Sequence, residues 1–463
     1  MVQQSQWQQG KLVQLEITDL NSSGEGVGRC GGQVIFVPDT VTGDRIVARL
    51  TEVKSQYARG KLVQLLEASP HRIRSRCIVA DKCGGCQWQH IDWEYQLEAK
   101  HQQVVKALRR IGGFSHPKVA PILSTAYSLN YRNKSTYPLG ISATGKVQAG
   151  YYRKGSHQLV NLNQCPVQDA RLHPLLSETK KDIQQRGWTI YNEKKHRGQL
   201  RHLSLRIGNR TGEMLLTLVS TEWKLPDLKE QAQTWLKQYP QLVGVCLNYN
   251  RARTNVIFGR ETHTVAGRSY LREIFAGVEL HIGADTFFQI NTEAAELLLQ
   301  TIEAKLDLQG HEVLIDAYCG IGTFTLPLAS KVRQAIGIEL YQASVAQAKH
   351  NAEINAIANV TFMAGAVEKI LHQLKVKPDP DIVFLDPPRK GCAPAVIDAL
   401  LTFKPSRIVY ISCQPTTLAR DLKLLCKSGD YQLDFVQPAD FFPQTTHVEC
   451  AAVLSRLDQF KFA

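Results

Sequence analysis

Three residues with catalytic chemistry lie at the ends of apolar runs in the C-terminal part of the chain. Cys413 follows an apolar run over residues 407–411 and precedes Pro415, where a strand must end. Asp386 follows a second such run and is itself followed by two prolines, and Glu449 opens a third. A thiol nucleophile, a carboxylate at a strand end and a second carboxylate able to act as a base are the groups that covalent catalysis requires. We therefore predict that Cys413, Asp386 and Glu449 face one crevice.

Each of the three residues also has an ordinary structural interpretation. A single cysteine in an apolar strand is usually a small core residue. An Asp-Pro-Pro sequence can simply end a strand, and a single glutamate is normally a solvated charge. The order of the three residues along the chain and the glycine-rich loop upstream of them favour the catalytic interpretation.

The elements that must position these residues form a regular pattern from about residue 271 onward. Apolar strands alternate with segments of helical periodicity, the strands at 313–319, 334–339 and 360–363 and the helices at 323–331, 342–356 and 366–374. Such alternation is typical of a doubly wound parallel sheet with helices on both faces. Because open α/β sheets bind their ligands at the carboxyl ends of the strands, Cys413 and Asp386 would lie at the ligand-binding edge.

A glycine turn follows the first strand of this predicted sheet. Asp316 lies on the strand, and Gly320 and Gly322 form the turn. Thr325 stands where a dinucleotide site needs a third small residue, so the turn matches that kind of site poorly. A carboxylate such as Glu339, at the end of the next strand, accepts hydrogen bonds well from ribose hydroxyls. The arrangement is similar to that of class I methyltransferases, which implies S-adenosylmethionine as the cofactor. An unrelated α/β sheet with a tight turn is the alternative.

Residues 1–68 carry short alternating apolar runs that are separated by turn residues. This spacing predicts a small barrel of the oligonucleotide-binding kind. The glycine-rich segment 24–29 is interpreted as a hairpin turn, because no long helix follows it as a dinucleotide site would require. The segment resembles a TRAM domain, which is an RNA-binding module appended to RNA-modifying enzymes.

Four cysteines, Cys77, Cys83, Cys86 and Cys165, have the spacing of a thiolate ligand set. Five residues separate the first pair, two glycines separate the second pair, and the fourth cysteine precedes a proline. Four thiolates suit an iron–sulfur cluster and a structural zinc ion equally well. A redox role for Cys83 and Cys86 is a third possibility, although the glycine turn lacks the helix start that would activate one thiol.

The pattern of apolar residues over 69–270 predicts a mixed α+β domain. A helix covers about 91–111 and ends at two glycines, and antiparallel strands follow at 131–138, 147–153, 203–207 and 213–219. Cations alternate with aromatic residues in these strands, as on an RNA-binding surface: Arg132, Lys134, Tyr151, Tyr152 and Arg153. An ordinary strand face with extended cationic side chains is the alternative.

Composition bounds the class of protein. A chain of 463 residues exceeds what one core usually organises, which predicts two or three domains. No apolar run approaches the roughly 20 residues of a membrane span, and the first residues do not form a secretion signal. Eleven unevenly spaced cysteines then predict reduced thiols in the cytoplasm. The net charge of +13, with basic clusters at 71–76 and 194–201, favours a nucleic acid as the partner, with a plain solvated surface as the alternative.

Taken together, these features resemble the RNA uridine-C5 methyltransferases over essentially the whole chain. The matching motifs lie at residues 287–291, 316–324, 386–391, 412–415 and 446–449, together with the four cysteines. Gln414 stands where the family usually has asparagine. The resemblance implies that Cys413 adds to C6 of a uracil that has been flipped out of its stack. Glu449 would then remove the C5 proton, and Asp386 would orient the cofactor or the base.

The resemblance also implies the ligands. The cofactor contacts would be Gln289, Tyr318, Thr323, Glu339, Ala366 and Asp386, and Ala366 cannot make the side-chain hydrogen bond to adenine that some members make. The cysteine set would bind a [4Fe–4S] cluster, which ribosomal-RNA members commonly carry and transfer-RNA T-loop members commonly lack.

The expected protein is therefore a monomeric, cytoplasmic enzyme that makes 5-methyluridine in 23S rRNA. It would consist of a TRAM domain (1–68), a central α+β domain with the cluster (69–270) and a class I methyltransferase domain (271–463). The alternatives are a transfer-RNA methyltransferase and a non-catalytic RNA-binding or ribosome-assembly factor.

Overall fold

Five strands close a barrel in the N-terminal part of the chain. The computed structural model describes residues 7–374 and 380–457. The barrel strands are β1 (Leu12–Leu20), β2 (Gly26–Cys30), β3 (Gln33–Val37), β4 (Arg45–Val53) and β5 (Tyr57–Glu67). They are hydrogen-bonded in the order β1-β2-β3-β5-β4. Along β1, exposed and buried residues alternate, and Val13, Leu15 and Ile17 point into a separate apolar core. The barrel predicted from the alternating runs is thus present.

A seven-stranded sheet with three helices follows the barrel. Its strands are β6 (Lys134–Ile141), β7 (Val147–Tyr152), β8 (Leu159–Asn161), β9 (Leu200–Ile207), β10 (Met214–Ser220), β11 (Leu242–Tyr249) and β12 (Glu261–Gly267). The helices are α1 (Trp93–Ala107), α2 (His173–Gln185) and α3 (Leu228–Gln238). The strand order is β12-β11-β10-β9-β6-β7-β8. The four predicted strands pair antiparallel, as expected, whereas β10 and β11 are parallel because α3 forms the crossover between them.

A second seven-stranded sheet carries the candidate catalytic residues. A hairpin and a helix lead into it: β13 (Tyr270–Phe275), β14 (Val278–Gly283) and α4 (Thr292–Leu306). The remaining strands are β15 (Val313–Ala317), β16 (Gln334–Glu339), β17 (Val360–Ala364), β18 (Ile382–Leu385), β19 (Arg407–Ser412), β20 (Tyr431–Ala439) and β21 (Glu449–Arg456). The remaining helices are α5 (Thr325–Ala329), α6 (Gln342–Ile354), α7 (Val367–Gln373), α8 (Pro394–Phe403) and α9 (Pro415–Lys427).

The strands of this sheet are ordered β17-β16-β15-β18-β19-β21-β20. The prediction of a parallel sheet is wrong for one of these strands. The five strands β15 to β19 are parallel to one another, whereas β21 is antiparallel to both β19 and β20. The connection over residues 440–448 is too short for a helical crossover, so β21 must return beside β20 in the opposite direction. Among the described residues, no helix has both the length and the apolar character needed to cross a membrane.

Helix α1 belongs to the packing of this second sheet, although it lies far upstream in the chain. Asp92 caps its first turn by accepting hydrogen bonds from two backbone N–H groups, and Gly113, with a positive φ of 78°, ends the π-helical turn (Leu108–Gly112) that continues it. Val104 and Leu108 are buried in the core that surrounds β19. Lys100 donates to Asp440 and to a backbone carbonyl on residues 440–448, so α1 holds the segment that leads to β21.

We predict that breaking the ion pair between Lys100 and Asp440 destabilises the protein. The two charged groups are 2.6 Å apart and both side chains are 0% exposed. Lys100→Met would leave the Asp440 carboxylate buried without its partner, which typically costs about 3–5 kcal/mol of unfolding free energy. The matched control is Lys106→Ala, which breaks the exposed pair with Asp19 and should cost less than about 1 kcal/mol. Urea unfolding of both variants measures the difference, and equal losses would contradict the prediction.

Candidate active site

Two of the candidate catalytic residues leave the sheet side by side. Asp386 directly follows β18, and Cys413 directly follows β19. The two strands are parallel neighbours, with Leu385 opposite Tyr410. Both side chains therefore lie at the carboxyl edge of the sheet, where open α/β sheets bind ligands.

The antiparallel strand brings Glu449 to the same edge. Glu449 is the first residue of β21, and the pairing of Ser412 with Cys450 makes it the next cross-strand neighbour of Cys413. Glu449 is buried, whereas Cys413 and Asp386 are half-buried. The structure thus brings the three predicted catalytic residues together.

The pKa values of these groups reflect a crevice that contains more acidic than basic groups. Burial, followed by the charge of Glu449, raises the pKa of the Cys413 thiol to about 11. Burial, followed by the charge of Asp386, raises the pKa of Glu449 to about 8. Burial, followed by the charge of Asp316, raises the pKa of Asp386 to about 7. Arg389 acts in the opposite direction on both Cys413 and Glu449.

Arg389 is a residue to which the sequence analysis gave no role. It follows Asp386 by three positions, inside the Asp-Pro-Pro-Arg motif, so its proximity to the candidate base is detectable in the sequence. Its positive charge favours the ionised forms of Cys413 and Glu449.

The glycine turn leaves open space beside the first strand. Gly320 has a positive φ of 55°, and a Cβ built on it would meet no atom of the described residues within 4 Å. Its N–H donates to Glu339 Oε2 at 3.2 Å, and the N–H of Tyr341 donates to Glu339 Oε1 at 2.9 Å. Two backbone donors therefore fix the Glu339 carboxylate next to this space.

Asp316 contributes an unsatisfied acceptor to the same region. Thr325 donates to its Oδ2, whereas its buried Oδ1 has no hydrogen-bond partner within the described part of the chain. Burial, partly offset by the Thr325 hydrogen bond, raises the pKa of Asp316 to about 7, and the charge of Glu339 also raises it. A buried acceptor without a partner costs free energy, so a donor group on a bound ligand would stabilise it.

The other predicted cofactor residues surround this region in different ways. Gln289 is buried, and its side-chain Nε2 donates to Asp386 Oδ2 at 3.4 Å. The backbone carbonyl of Gln289 accepts a hydrogen bond from Asn133 Nδ2. Thr323 is buried in the turn, and Ala366 is the N-terminal cap residue of α7 without a side-chain hydrogen bond.

Tyr318 has the unusual backbone conformation of the turn. Its φ is 143°, which is strained for a residue with a side chain and is typical of ligand-binding turns. Its ring packs against the core that contains Cys392, and burial raises the pKa of its hydroxyl. A direct contact between Tyr318 and a cofactor stays a prediction.

The four predicted metal ligands line a single cavity. Cys77, Cys83, Cys86 and Cys165 all border a cavity of about 160 Å³. The N–H of Gly85 donates to Cys83 Sγ at 3.4 Å. Within residues 7–374 and 380–457, no group of three or more His, Cys, Asp or Glu side chains is arranged to hold a metal ion. The four thiols therefore share one cavity without forming a metal site in the described residues.

Part of the predicted RNA surface lies inward and not on the outside. Arg132 and Tyr151 line the cysteine cavity, and Arg132 Nε donates to the carbonyl of Lys134. The Lys134 ammonium lies 4.9 Å from the centre of the Phe258 ring, and burial lowers the pKa of this lysine to about 6. Two of the five predicted RNA-surface residues, Arg132 and Tyr151, thus form part of the wall of a cavity, whereas Arg153 is exposed.

The second seven-stranded sheet, with a glycine turn after β15 and an acidic residue at the end of β16, defines a class I S-adenosylmethionine-dependent methyltransferase fold. The chain belongs to the tRNA (uracil-5-)-methyltransferase family, whose model matches residues 93–457. The TRAM domain model matches residues 6–63.

Several relatives span nearly the whole chain. An uncharacterized RNA methyltransferase of Nostoc sp. is 65% identical over 97% of both chains. Another, from Synechocystis sp., is 59% identical over 98% of this chain and 97% of its own. Among solved structures, the tRNA (uracil-54, C5)-methyltransferase of Pyrococcus abyssi in complex with S-adenosyl-L-homocysteine superposes with a TM-score of 0.76. That protein is 29% identical, and the match covers 96% of this chain and 100% of that one.

Proposed function

We propose that this protein transfers a methyl group from S-adenosylmethionine to C5 of a uridine in 23S rRNA. The observation that carries the proposal is the convergence of Cys413, Asp386 and Glu449 at one sheet edge that also carries the glycine turn. A monomer acting in the cytoplasm is part of the same proposal.

The chemistry assigns one step to Cys413 and one step to Glu449. C5 of uracil is a weak nucleophile, so the Cys413 thiolate first adds to C6, and the electron pair of the C5–C6 double bond moves into an enolate. S-adenosylmethionine supplies the methyl group as an electrophile to C5. Glu449 then takes the proton from C5, the double bond re-forms, and the C6–S bond breaks to return the thiolate.

The cofactor would be held by residues of the glycine turn and its neighbours. Glu339, already fixed by two backbone N–H groups, would accept from the ribose hydroxyls. Asp386 and Gln289 are linked by a hydrogen bond and would orient the reacting end. Tyr318, Thr323 and Ala366 complete the proposed contact set.

We predict that methyl transfer accelerates as the pH rises. Cys413, with a pKa of about 11, and Glu449, with a pKa of about 8, must both lose a proton before they can act. Below the pKa of Glu449, kcat/KM should rise by about a hundredfold per pH unit because two protons must be lost, and above that pKa by about tenfold per pH unit because only Cys413 still titrates. Initial rates between about pH 6 and about pH 9, with RNA binding measured at each pH, test this. A flat profile with unchanged binding would contradict the assignment.

We also propose that Cys77, Cys83, Cys86 and Cys165 bind a [4Fe–4S] cluster. The support is the family resemblance together with the fact that all four cysteines line one cavity of about 160 Å³. The cluster would tie two separate segments together through four thiolate bonds, the connection between β5 and α1 and the connection that follows β8. The N–H of Gly85 would then donate to a ligand sulfur, as backbone groups commonly do around such clusters.

Metal analysis tests the cluster. Anaerobically purified protein is expected to be brown and to contain about four irons per chain. Cys83→Ala should lose most of this iron, whereas Cys30→Ala, which removes a half-exposed thiol of the barrel, should keep it. Zinc without iron in the wild-type protein would replace the cluster by a structural zinc site.

The RNA substrate is decided by methyl transfer to purified RNAs. Incubation with radiolabelled cofactor and either 23S rRNA or transfer RNA should label the ribosomal RNA. The similarity to the Pyrococcus abyssi tRNA enzyme favours transfer RNA as the second candidate. Label in transfer RNA alone would establish that candidate, and label in neither RNA would favour a non-catalytic RNA-binding role.

A further inference from the structure

Three aromatic rings are stacked at the edge of the central sheet, far along the chain from the catalytic residues. Trp223 follows β10, Tyr249 ends β11 and His263 lies on β12. The Trp223 ring is nearly parallel to Tyr249 at 4.7 Å and to His263 at 4.2 Å between centroids. His263 is exposed, and Trp223 and Tyr249 are half-buried. None of the three takes part in the proposed methyl transfer.

A large cleft opens beside this stack. Its volume is about 780 Å³, and Trp223 and His263 form part of its wall together with apolar residues such as Leu225. Lys224 and Lys229 also line it, and Glu261 contributes one carboxylate. An apolar, aromatic wall with cations at its rim suits a nucleobase that is attached to phosphates.

A buried arginine fixes the loop next to the stack. Arg201 is 7% exposed and donates to the carbonyls of Asn250, Ala252 and Thr254, which follow Tyr249 directly. These bonds hold the loop in one conformation while Arg251 and Arg253 remain exposed. The basic cluster 194–201 of the sequence therefore contains one structural arginine, and the loop it holds presents two further cations.

An exposed turn adds more positive charge to this side. Asn192 and Arg197 are bridged across it, and Lys194 and Lys195 lie exposed between them. The Arg201 guanidinium lies 5.0 Å from the centre of the Tyr191 ring, which leads into the turn. The same buried arginine thus supports both basic segments.

The stack is connected to the catalytic crevice through β12. Thr262, next to His263, donates to Asp285 at 2.9 Å. Asp285 precedes Gln289 by four residues, and Gln289 donates to Asp386 in the crevice. Thr262 and His263 are consecutive residues of the edge strand β12 and point to opposite faces, so an RNA strand leaving the crevice would pass around this edge to reach the stack.

We propose that this surface binds an unpaired segment of the RNA substrate, outside the nucleotide that is methylated. We name it the aromatic–basic face and define it by Trp223, Lys224, Tyr249, Arg251, Arg253 and His263. Bases of the segment stack against the rings and enter the cleft, and its phosphates contact the exposed arginines and lysines. The inference rests on RNA being the substrate, as proposed above, but the binding experiments below do not depend on methyl transfer.

Tryptophan fluorescence tests the stacking. A short oligouridylate is titrated into the full-length protein, and a base that stacks on the exposed His263 ring is expected to quench the emission of Trp223, which lies against that ring. Trp223→Phe keeps an aromatic ring in place and should retain affinity while losing most of the quenching. Quenching of the same size in Trp223→Phe would overturn the stacking, because it would then arise at another tryptophan.

Salt-dependent binding tests the cationic part of the surface. The double variant Arg251→Ala and Arg253→Ala should raise the Kd for oligouridylate by about tenfold. It should also lower the slope of log Kd against log salt by about 1.4, since each contact with a single strand contributes about 0.7. The matched control removes two exposed lysines of α9, Lys423→Ala and Lys427→Ala, and should leave both quantities unchanged. Wild-type affinity and slope in the arginine variant, or the same loss in the control, would overturn the proposal.

A kinetic comparison separates this inference from the proposed function. With the unmethylated RNA that the wild-type enzyme modifies as substrate, the arginine variant should show a KM about tenfold higher and an unchanged kcat. The reason is that the aromatic–basic face lies outside the reacting groups. A wild-type enzyme that labels no RNA would refute the proposed function, and the binding results would still decide the aromatic–basic face.

Discussion

Replacing Cys413 by alanine is expected to abolish methyl transfer, with the single-turnover rate reduced by at least about 10⁴-fold. Without the thiolate there is no addition at C6, and C5 of the uracil stays too weak a nucleophile to attack. Binding of S-adenosylmethionine should persist, because the proposed cofactor contacts come from other residues. Transfer of labelled methyl to RNA and calorimetric titration with cofactor measure the two properties separately.

The matched control for this variant is Cys426→Ala. Cys426 is half-buried like Cys413, and burial also raises the pKa of its thiol to about 11, but it lies on α9. Its removal should leave the rate within about threefold of wild type, as for a small change away from the reacting groups. An equal loss in both variants would point to misfolding. Full activity of Cys413→Ala would exclude covalent catalysis.

Replacing Glu449 by glutamine is expected to trap the enzyme on its RNA. Glutamine keeps the shape of the side chain but cannot take the C5 proton, so the methylated base stays bonded to Cys413. Turnover should fall by about 10²–10⁴-fold, which is the usual contribution of a general base. The trapped complex would migrate as a slow band on a denaturing gel. The band should disappear when Cys413→Ala is added to Glu449→Gln, and a band that persists would contradict the assignment.

The same substitution is expected to stabilise the folded protein at high pH. The pKa of Glu449 is about 8 in the folded state against an ordinary value of 4.5. Between these two values the folded state binds more protons than the unfolded state, so stability falls as the pH rises through this window. Glutamine does not titrate, and Glu449→Gln should therefore gain on the order of 5 kcal/mol over wild type at about pH 9 and nearly nothing at about pH 4. Urea unfolding at the two pH values measures this, and an equal difference at both would contradict it.

The pKa shifts in the crevice share one physical cause. Burial raises the pKa of Asp316, Asp386 and Glu449, and the charge of a neighbouring carboxylate raises each of them further. The crevice therefore carries less negative charge near neutral pH than its composition indicates. The Cys413 thiolate is destabilised less than it would be by three fully ionised carboxylates. The arrangement costs stability in the folded protein, as is common for functional sites.

Much of the second sheet was predictable because its signals are local. Apolar runs ended by prolines predicted where Asp386 and Cys413 leave their strands, and both follow β18 and β19 directly. The glycine turn and Glu339 at the end of β16 were predictable for the same reason. Strand ends depend on neighbouring residues, so a sequence pattern contains the information needed to place them.

Other features of the site depend on pairings between distant segments. The sequence indicated that Glu449 opens an apolar run, but not that β21 returns antiparallel between β19 and β20. The alternating cations and aromatics near β6 and β7 predicted an RNA-binding surface, whereas Arg132 and Tyr151 line the cysteine cavity. Alternation along a strand shows that its two faces differ, but the direction of each face is set by what packs against it.

By itself the sequence predicted which residues are proposed to react, and it determined the ends of the strands that carry them, the barrel and the turn beside Glu339. Only the tertiary structure decided that Glu449 lies next to Cys413, that Lys100 of α1 holds the segment before β21, and that Arg201 is buried under an exposed basic loop. The reason is that backbone preferences act over a few residues, whereas burial, ion pairing and pKa shifts arise from groups that meet across hundreds of residues of chain.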